Sequence, residues 1–317
     1  MQEVIGSTPL CSTKTPLKIQ WCFFISLPLQ FLRSMKKNYS KGVSIVIISL
    51  IYIIAAFVGW EAFQGLSNHM SELWVLLVAD VVATIAVWLF GLLFRNVSVY
   101  DPYWSVFPPV VFTAWAIYKG TFTLPVILLL IAIWYWAIRL TGNWVITFKG
   151  LAHEDWRYTR YREMQSPWLF QLTNLFGLNM VPTLVVFGAM LPGFGLFEGG
   201  LPANLLTWLG FAMCLSSATI QLVADTQIHR FRDEHPGQFC TVGLWKHGRH
   251  PNYFGEIQIW WSVWVMYASL KGFDWLILGP VAMTALFLFI SIPMMERRQL
   301  ENKPGYDEYR KKTRMLI

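Results

Sequence analysis

The sequence predicts an all-α fold, a polytopic membrane bundle of about seven or eight transmembrane helices with both termini in the cytosol. Hydrophobic residues make up 55% of the 317 positions and charged residues only 14%, whereas soluble domains carry about 25% charged residues. The mean hydropathy is +0.45, and the apolar runs reach the roughly 20 residues that span a bilayer. These observations exclude a soluble globular enzyme, a disordered chain and a fibrous repeat.

Apolar runs bounded by charges, Pro or Gly define the candidate spans. The third and fourth runs are short and nearly continuous, so they form a helical hairpin or partly re-enter the membrane. The eight runs are residues 43–60, 73–94, 104–118, 122–138, 168–192, 203–225, 253–270 and 274–295.

Lysine and arginine fall almost entirely on one side of these spans. Of the 25 basic residues, all but Lys119 and Lys271 lie on the side that holds both termini. The positive-inside rule assigns that side to the cytosol. We therefore predict a multi-pass integral membrane protein whose active site faces the cytosol, in the inner membrane of a bacterium or the endoplasmic reticulum of a eukaryote.

The chain divides into three predicted regions. Residues 1–34 form an N-terminal extension, because the apolar run 19–32 is too short to span and lacks a small-residue cleavage site. Residues 35–166 form an N-terminal membrane half with substrate-side cytosolic loops, and residues 167–317 form a C-terminal membrane half that binds the cofactor. The four cysteines contain no C-x-x-C pair and the six histidines suggest no cage, so no metal site is predicted.

Polar residues cost free energy in or near lipid, so the polar clusters of this chain are candidates for function. Three clusters fall on the predicted cytosolic side, at Tyr100–Trp104, at 139–158 and at Gln221–Glu256. Asp80 stands alone within its span, where a packing role and a functional role are equally expected.

The third cluster contains a predicted anion site. Asn252 suits the N-cap of the seventh span, whose N-terminal N–H groups would then point toward the cytosol. Lys246, Arg249 and His250 lie just before that helix end, an arrangement suited to phosphate. The alternative is that the basic residues are anchors for lipid phosphates. Glu256, one turn into the helix, favours a functional site because a carboxylate there anchors nothing.

Several segments resemble the C-terminal region of the membrane steroid 5α-reductase and sterol reductase superfamily, most closely its DUF1295 branch. The strongest likeness is in 243–245 followed by Arg249-His250-Pro251-Asn252-Tyr253-Phe254-Gly255-Glu256. The segments 100–102, 232–236 and 304–309 fit the same branch. The resemblance covers about residues 40–317 and implies a helical fold with a cavity open to the cytosol and the bilayer.

The resemblance implies that NADPH is the cofactor. Asn252, Asp225 and Arg232 match cofactor contacts of the steroid reductases, and Gln221 stands where those enzymes often have Asn. With the basic residues before the seventh span, the predicted cofactor-binding set is Gln221, Asp225, Arg232, Lys246, Arg249, His250, Asn252, Arg297, Arg298 and Tyr309.

The steroid reductases also polarise the substrate carbonyl with a Glu and a Tyr. Chemically suitable residues here are Tyr100, Glu154 and Tyr158, and these three with Glu256 are the predicted catalytic residues. Asp101, Trp104, Arg139 and Asn143 are the predicted substrate-binding residues.

Neither a P-loop nor a G-x-G-x-x-G turn is present, so a nucleotide must bind to helix ends and loops. The leading hypothesis is an NADPH-dependent reductase of a carbon–carbon double bond in a lipophilic, steroid- or terpenoid-like enone. The first alternative is a membrane methyltransferase that uses S-adenosylmethionine, similar to isoprenylcysteine carboxyl methyltransferases. The second is a non-catalytic lipid-binding protein. The expected partners are a lipophilic small molecule and membrane lipids, and no nucleic acid.

Overall fold

The computed structural model describes residues 39–317 and has no β-strand over that range. The predicted N-terminal extension, residues 1–34, lies outside the described residues. The helices are α1 (Lys41–Leu66), α2 (Glu72–Phe94), α3 (Tyr103–Lys119), α4 (Leu124–Thr147), α5 (Trp156–Met164), α6 (Pro167–Gly195), α7 (Leu205–Glu234), α8 (Pro251–Lys271), α9 (Trp275–Asn302) and α10 (Tyr306–Lys312).

Six of these helices, α1, α2, α4, α6, α7 and α9, are long and apolar enough to cross a membrane. Each of the eight predicted spans coincides with a long helix, and the two that fall short of a membrane-crossing helix are α3 and α8. α3 has only 17 residues, and α8 is interrupted by polar residues. The chain is thus an all-helical multi-pass membrane protein, while the number of spans and the side of the termini stay predictions.

α4 continues well beyond its predicted end at residue 138, through Thr147. Arg139 and Asn143 therefore lie in the last turns of a helix, beyond the predicted end of the span. Nothing between 139 and 147 breaks a helix, and the chain turns only near Gly150, whose φ is +100°. The extension carries both side chains alongside α7.

Two helices become π-helical on one side of the bundle, α6 over Thr173–Met180 and α9 over Phe287–Ser291. Pro182 and Pro293 each lie two residues after the end of these stretches. A proline lacks the N–H that would bond to the carbonyl four residues earlier, so the backbone pattern must change before it. π-Helical turns occur frequently at functional sites.

Close packing of α7 against α8 depends on Gly210 and Gly255. A Cβ at Gly255 would lie 2.4 Å from the Cγ of Gln221, and one at Gly210 would lie 2.7 Å from the Cγ of Met266. Both contacts are shorter than side chains tolerate, so glycine is required at these positions. The approach brings the first turns of α8 beside Gln221.

Asp80 is buried between helices and is not isolated. The Tyr103 hydroxyl donates a hydrogen bond to its Oδ1 at 2.9 Å. Nearby, the Thr183 hydroxyl of α6 lies 2.9 Å from that of Thr84 and 2.7 Å from that of Tyr100. These contacts join α2, the start of α3 and α6, which favours a packing role for Asp80.

Candidate functional site

A cavity of about 710 Å³ lies among α3, α4, α6, α7, α8 and α9, within the range of about 300–1,000 Å³ typical of ligand sites. It brings the three polar clusters of the sequence together. The predicted site residues that line it are Tyr100, Asp101, Trp104, Arg139, Asn143, Glu154, Tyr158, Gln221, Asp225, Asn252 and Glu256.

Another part of the cavity wall is apolar. α6 contributes Val181 and Val186, and α9 contributes Met283, Phe287 and Ile290. These residues come from the π-helical stretches of the two helices or from the turns next to them. Val181 and Ile290 are 39% and 53% exposed. The apolar wall that α6 and α9 form suits a lipophilic ligand.

Glu256 is the most enclosed carboxylate of the cavity, with 3% of its surface exposed. Its Oε2 accepts hydrogen bonds from the Trp136 indole and the Gln221 amide, both at 2.9 Å, and its Oε1 accepts one from the Trp260 indole at 3.1 Å. Three donors compensate for the removal of this carboxylate from water.

From Gln221 the hydrogen bonds continue to the opposite side of the cavity. Arg139 donates to the Gln221 carbonyl oxygen at 2.7 Å and to the Asp225 carboxylate at 3.2 Å. The Asn252 amide donates to the other oxygen of Asp225 at 3.3 Å. We name Arg139, Gln221, Asp225, Asn252 and Glu256 the buried cluster.

Asn252 does not cap α8, contrary to the prediction. The helix begins at Pro251, the residue before it is His250, and no side chain caps this end. Proline needs no N–H partner at the first helical position and sets the right φ, so it starts the helix one residue earlier than expected. The Asn252 side-chain oxygen accepts from the Tyr253 N–H at 3.0 Å, and its amide nitrogen is directed to Asp225 at the cavity.

A second group at the cavity comes from the loops outside the spans. The Tyr158 hydroxyl, at the start of α5, donates a short hydrogen bond to Oδ1 of Asp101. Burial raises the pKa of Asp101 to about 6, although the Arg157 guanidinium and the Tyr158 hydroxyl oppose the shift. Burial also raises the pKa of Tyr158, and the neighbouring Asp101 carboxylate adds to that effect. We name Asp101 and Tyr158 the loop pair.

The other two carbonyl-polarising candidates are occupied by protein partners. Glu154 accepts from the Val97 backbone N–H at 2.9 Å and pairs with Arg162 at 2.8 Å. Its carboxylate thus ties two loops together. The Tyr100 hydroxyl is bonded to Thr183, as described above, and burial raises the pKa of Tyr100. Of the three candidates, Tyr158 is the one held by a carboxylate at the cavity.

Arg249 and His250 do not line the cavity. Arg249 donates to the Glu296 carboxylate at 2.7 Å and to the Arg310 carbonyl at 2.8 Å, and His250 lies 3.2 Å from the same carboxylate. The backbone N–H groups of Arg249 and His250 donate to residues 314 and 315. We name Arg249, His250 and Glu296 the C-terminal cluster, because it holds the last residues of the chain against the start of α8.

The remaining predicted cofactor residues lie outside the cavity. Arg232, Lys246 and Arg297 are exposed, and the Tyr309 hydroxyl donates to the Trp245 carbonyl. The Arg298 guanidinium lies 4.0 Å from the ring centre of Trp156, which immediately precedes a cavity residue, Arg157. For all five residues, cofactor binding stays a prediction.

The sequence reasoning missed Trp136 and Trp260, the two indole donors to Glu256. Helical spacing could have found both. Trp260 lies four residues after Glu256, and Trp136 lies three residues before Arg139, so each shares a helix face with a predicted site residue. Lys149, Asp155 and Arg157 also line the cavity; they belong to the predicted polar cluster 139–158 but not to the predicted site residues. Within residues 39–317 no group of three or more His, Cys, Asp or Glu side chains is arranged to hold a metal ion.

Comparison with known proteins identifies the family. The profile of the family described as "Protein of unknown function (DUF1295)" matches residues 87–313. An uncharacterized protein of Schizosaccharomyces pombe is 21% identical over 318 aligned positions, which cover 91% of this chain and 92% of the relative. No solved structure matches the chain. The chain belongs to the DUF1295 family, and that family is related to steroid reductase-like proteins.

Proposed function

We propose that the protein is an NADPH-dependent reductase that saturates the carbon–carbon double bond of a lipophilic, steroid- or terpenoid-like enone. The observation that carries this proposal is that apolar walls, a tyrosine–carboxylate pair and the buried cluster meet in one cavity. The relation of the family to steroid reductase-like proteins adds support.

Several basic and amide side chains at the cavity suit parts of the cofactor. The Nε of Arg139 is buried and has no hydrogen-bond partner among the described residues, so it can donate to a bound ligand. Arg139, Asp225 and Asn252 would hold the polar head of the cofactor, and Lys149 and Arg157 would meet its phosphates. When bound, NADPH supplies a hydride to the β-carbon of the enone.

Tyr158 is the residue that we assign to the carbonyl oxygen of the substrate. Hydride addition to the β-carbon moves an electron pair through the double bond onto that oxygen, and a nearby hydroxyl donor stabilises the charge. Tyr158 protonates that oxygen to give the enol. The enol becomes the saturated ketone when the α-carbon takes up a proton and the oxygen releases one, so that each carbon of the former double bond gains one hydrogen. Asp101 holds the Tyr158 hydroxyl and, with a pKa of about 6, can return a proton to it.

One observation favours the methyltransferase alternative. The cavity is lined by five carboxylates but only three arginine or lysine side chains, and the carboxylates are Asp101, Glu154, Asp155, Asp225 and Glu256. An acidic lining suits the sulfonium cation of S-adenosylmethionine better than the phosphates of NADPH. A methyltransferase therefore stays the second candidate.

Binding measurements on detergent-purified protein separate the candidates. We expect NADPH to bind and S-adenosylmethionine not to bind, and we expect a panel of lipophilic enones to reveal substrate-dependent NADPH oxidation. Tyr158→Phe should lose this oxidation and keep NADPH binding. Tyr161→Phe, on the same helix but not at the cavity, is the matched control and should behave as wild type. Binding of S-adenosylmethionine alone would contradict the proposal, and binding of lipid without either cofactor would favour a non-catalytic protein.

A further inference from the structure

The charges of the buried cluster do not balance. Arg139, Asp225 and Glu256 are 8%, 7% and 3% exposed and belong to one hydrogen-bonded chain. Only one of the three is basic. With both carboxyl groups ionised, the cluster carries a formal charge of −1 in a part of the cavity that water screens poorly.

The hydrogen bonds of Glu256 suit the ionised form. Its three partners, the indoles of Trp136 and Trp260 and the Gln221 amide, all donate to it. A carboxylate only accepts hydrogen bonds, whereas a neutral carboxyl group must also donate one. The arrangement therefore holds a negative charge at this position.

Aromatic rings lie next to this charge. Trp104 lines the cavity, and its ring centre is 6.2 Å from that of Trp136, which is 5.3 Å from that of Trp260. Indole faces attract organic cations. Of these three rings Trp104 is the one at the cavity, and Trp136 links it to Glu256. The face of Trp104 and the nearby carboxylate thus favour a positively charged ligand group.

The same end of the cavity offers a donor beside an acceptor. The unpartnered Nε–H of Arg139 is the donor, and the carboxylate of Asp225, 3.2 Å from another nitrogen of that guanidinium, is the acceptor. A carboxamide presents the complementary pair, a carbonyl oxygen and an NH₂ group.

We propose that the buried cluster binds an organic cation and that Glu256 favours the cationic form of the ligand over its neutral form. Resting on the proposed function, the ligand group is the nicotinamide ring, which is neutral in NADPH and positively charged in NADP⁺. Arg139 and Asp225 would hold its carboxamide. Glu256 would not touch the reacting atoms and would act as a positioning charge that favours the positively charged ring.

The test is the ratio of the dissociation constants of NADP⁺ and NADPH, measured by titration on detergent-purified protein. We expect Glu256→Gln to raise this ratio about tenfold, equivalent to about 1.4 kcal/mol, chiefly by weakening NADP⁺. Asp225→Asn removes the other carboxylate and should raise the ratio in the same direction if Glu256→Gln does not fold. Glu308→Gln is the control, because Glu308 is exposed on α10 with 79% of its side chain accessible and should leave the ratio unchanged.

A parallel titration with S-adenosylmethionine, which is a sulfonium cation, and its neutral product S-adenosylhomocysteine separates this inference from the proposed function. If only this second pair binds, and Glu256→Gln weakens the cation selectively, the cation subsite is supported and the reductase is contradicted. If NADPH binds but the ratio is the same in wild type, Glu256→Gln and Asp225→Asn, the subsite is wrong and the reductase stands. If neither pair binds, both are overturned.

Discussion

The two halves of the segment from Arg249 to Glu256 have different functions in the structure. Arg249 and His250 turn away from the cavity and bind Glu296 and the last residues of the chain. Asn252 and Glu256 turn into the cavity and join the buried cluster. Pro251, between them, is the first residue of α8. A continuous motif in sequence thus divides between a stabilising cluster and the cavity, and its basic residues belong to the first.

The largest effect should come from breaking the C-terminal cluster. Arg249→Ala leaves the Glu296 carboxylate buried with only His250 beside it, a loss that costs about 3–5 kcal/mol in comparable buried ion pairs. We expect a much lower midpoint of thermal unfolding, with ligand affinity per folded molecule unchanged. Replacing both members, Arg249→Met with Glu296→Met, should recover part of the stability. A loss of affinity without a loss of stability would return Arg249 to the cofactor site.

A smaller effect, on turnover alone, is expected at the loop pair. Tyr158→Phe removes the proposed proton donor, and loss of a general acid typically lowers the rate about 10²-fold or more. Steady-state NADPH oxidation with an accepted enone measures it, and the midpoint of unfolding should stay close to wild type. Undiminished turnover would remove Tyr158 from the chemistry and direct attention to Tyr100.

Asn252→Ala distinguishes a ligand contact from a helix cap. Because Asn252 donates to Asp225 and accepts a single hydrogen bond from the Tyr253 N–H of the first helical turn, we expect turnover to fall about tenfold, or about 1.4 kcal/mol, and stability to fall by about 0.5 kcal/mol.

A matched control for that variant is Asn204→Ala. Asn204 is a true N-cap of α7, and its side chain accepts from the Thr207 N–H at 3.1 Å. Its loss should cost about 1 kcal/mol of stability, as caps do, with turnover per folded molecule intact. The opposite pattern in the two variants would show that Asn252 has only a structural role.

The smallest effect concerns pH. Because burial raises the pKa of Asp101 from 3.8 to about 6, the folded protein binds more protons at this site than the unfolded chain within that window. The stability of wild type should therefore fall relative to Asp101→Asn as pH rises from 3.8 to about 6, and the difference should be constant above it. The nearby Arg157 limits the effect. Unfolding midpoints of both proteins across this range measure it, and parallel curves would contradict the shift.

Helix positions were predictable from the sequence because apolar length and the spacing of charges are local properties. The cluster around Asp225 and Asn252 was predictable for a related reason, since polar residues next to lipid must find partners. The partner itself was not predictable. Whether Arg249 binds phosphate or Glu296 depends on whether folding brings Glu296, 47 positions later in the chain, beside it. The charges counted along the sequence are the same in either case.

The start of α8 shows the same limit on a smaller scale. Asn252 has a side chain suited to an N-cap, yet the preceding proline begins the helix. The Asn252 amide nitrogen therefore donates to Asp225. The two indole donors to Glu256 were also missed, because a tryptophan in an apolar span ordinarily contacts lipid or packs in the protein core.

The π-helical turns of α6 and α9 determine which side chains of these helices face the cavity. A π-helical turn bonds each N–H to the carbonyl five residues earlier instead of four, so it holds about one residue more than an α-helical turn. One extra residue offsets the side chains that follow by about 100° from their directions in an unbroken α-helix. The stretch Phe287–Ser291 thus gives the two ends of α9 different faces toward the rest of the bundle.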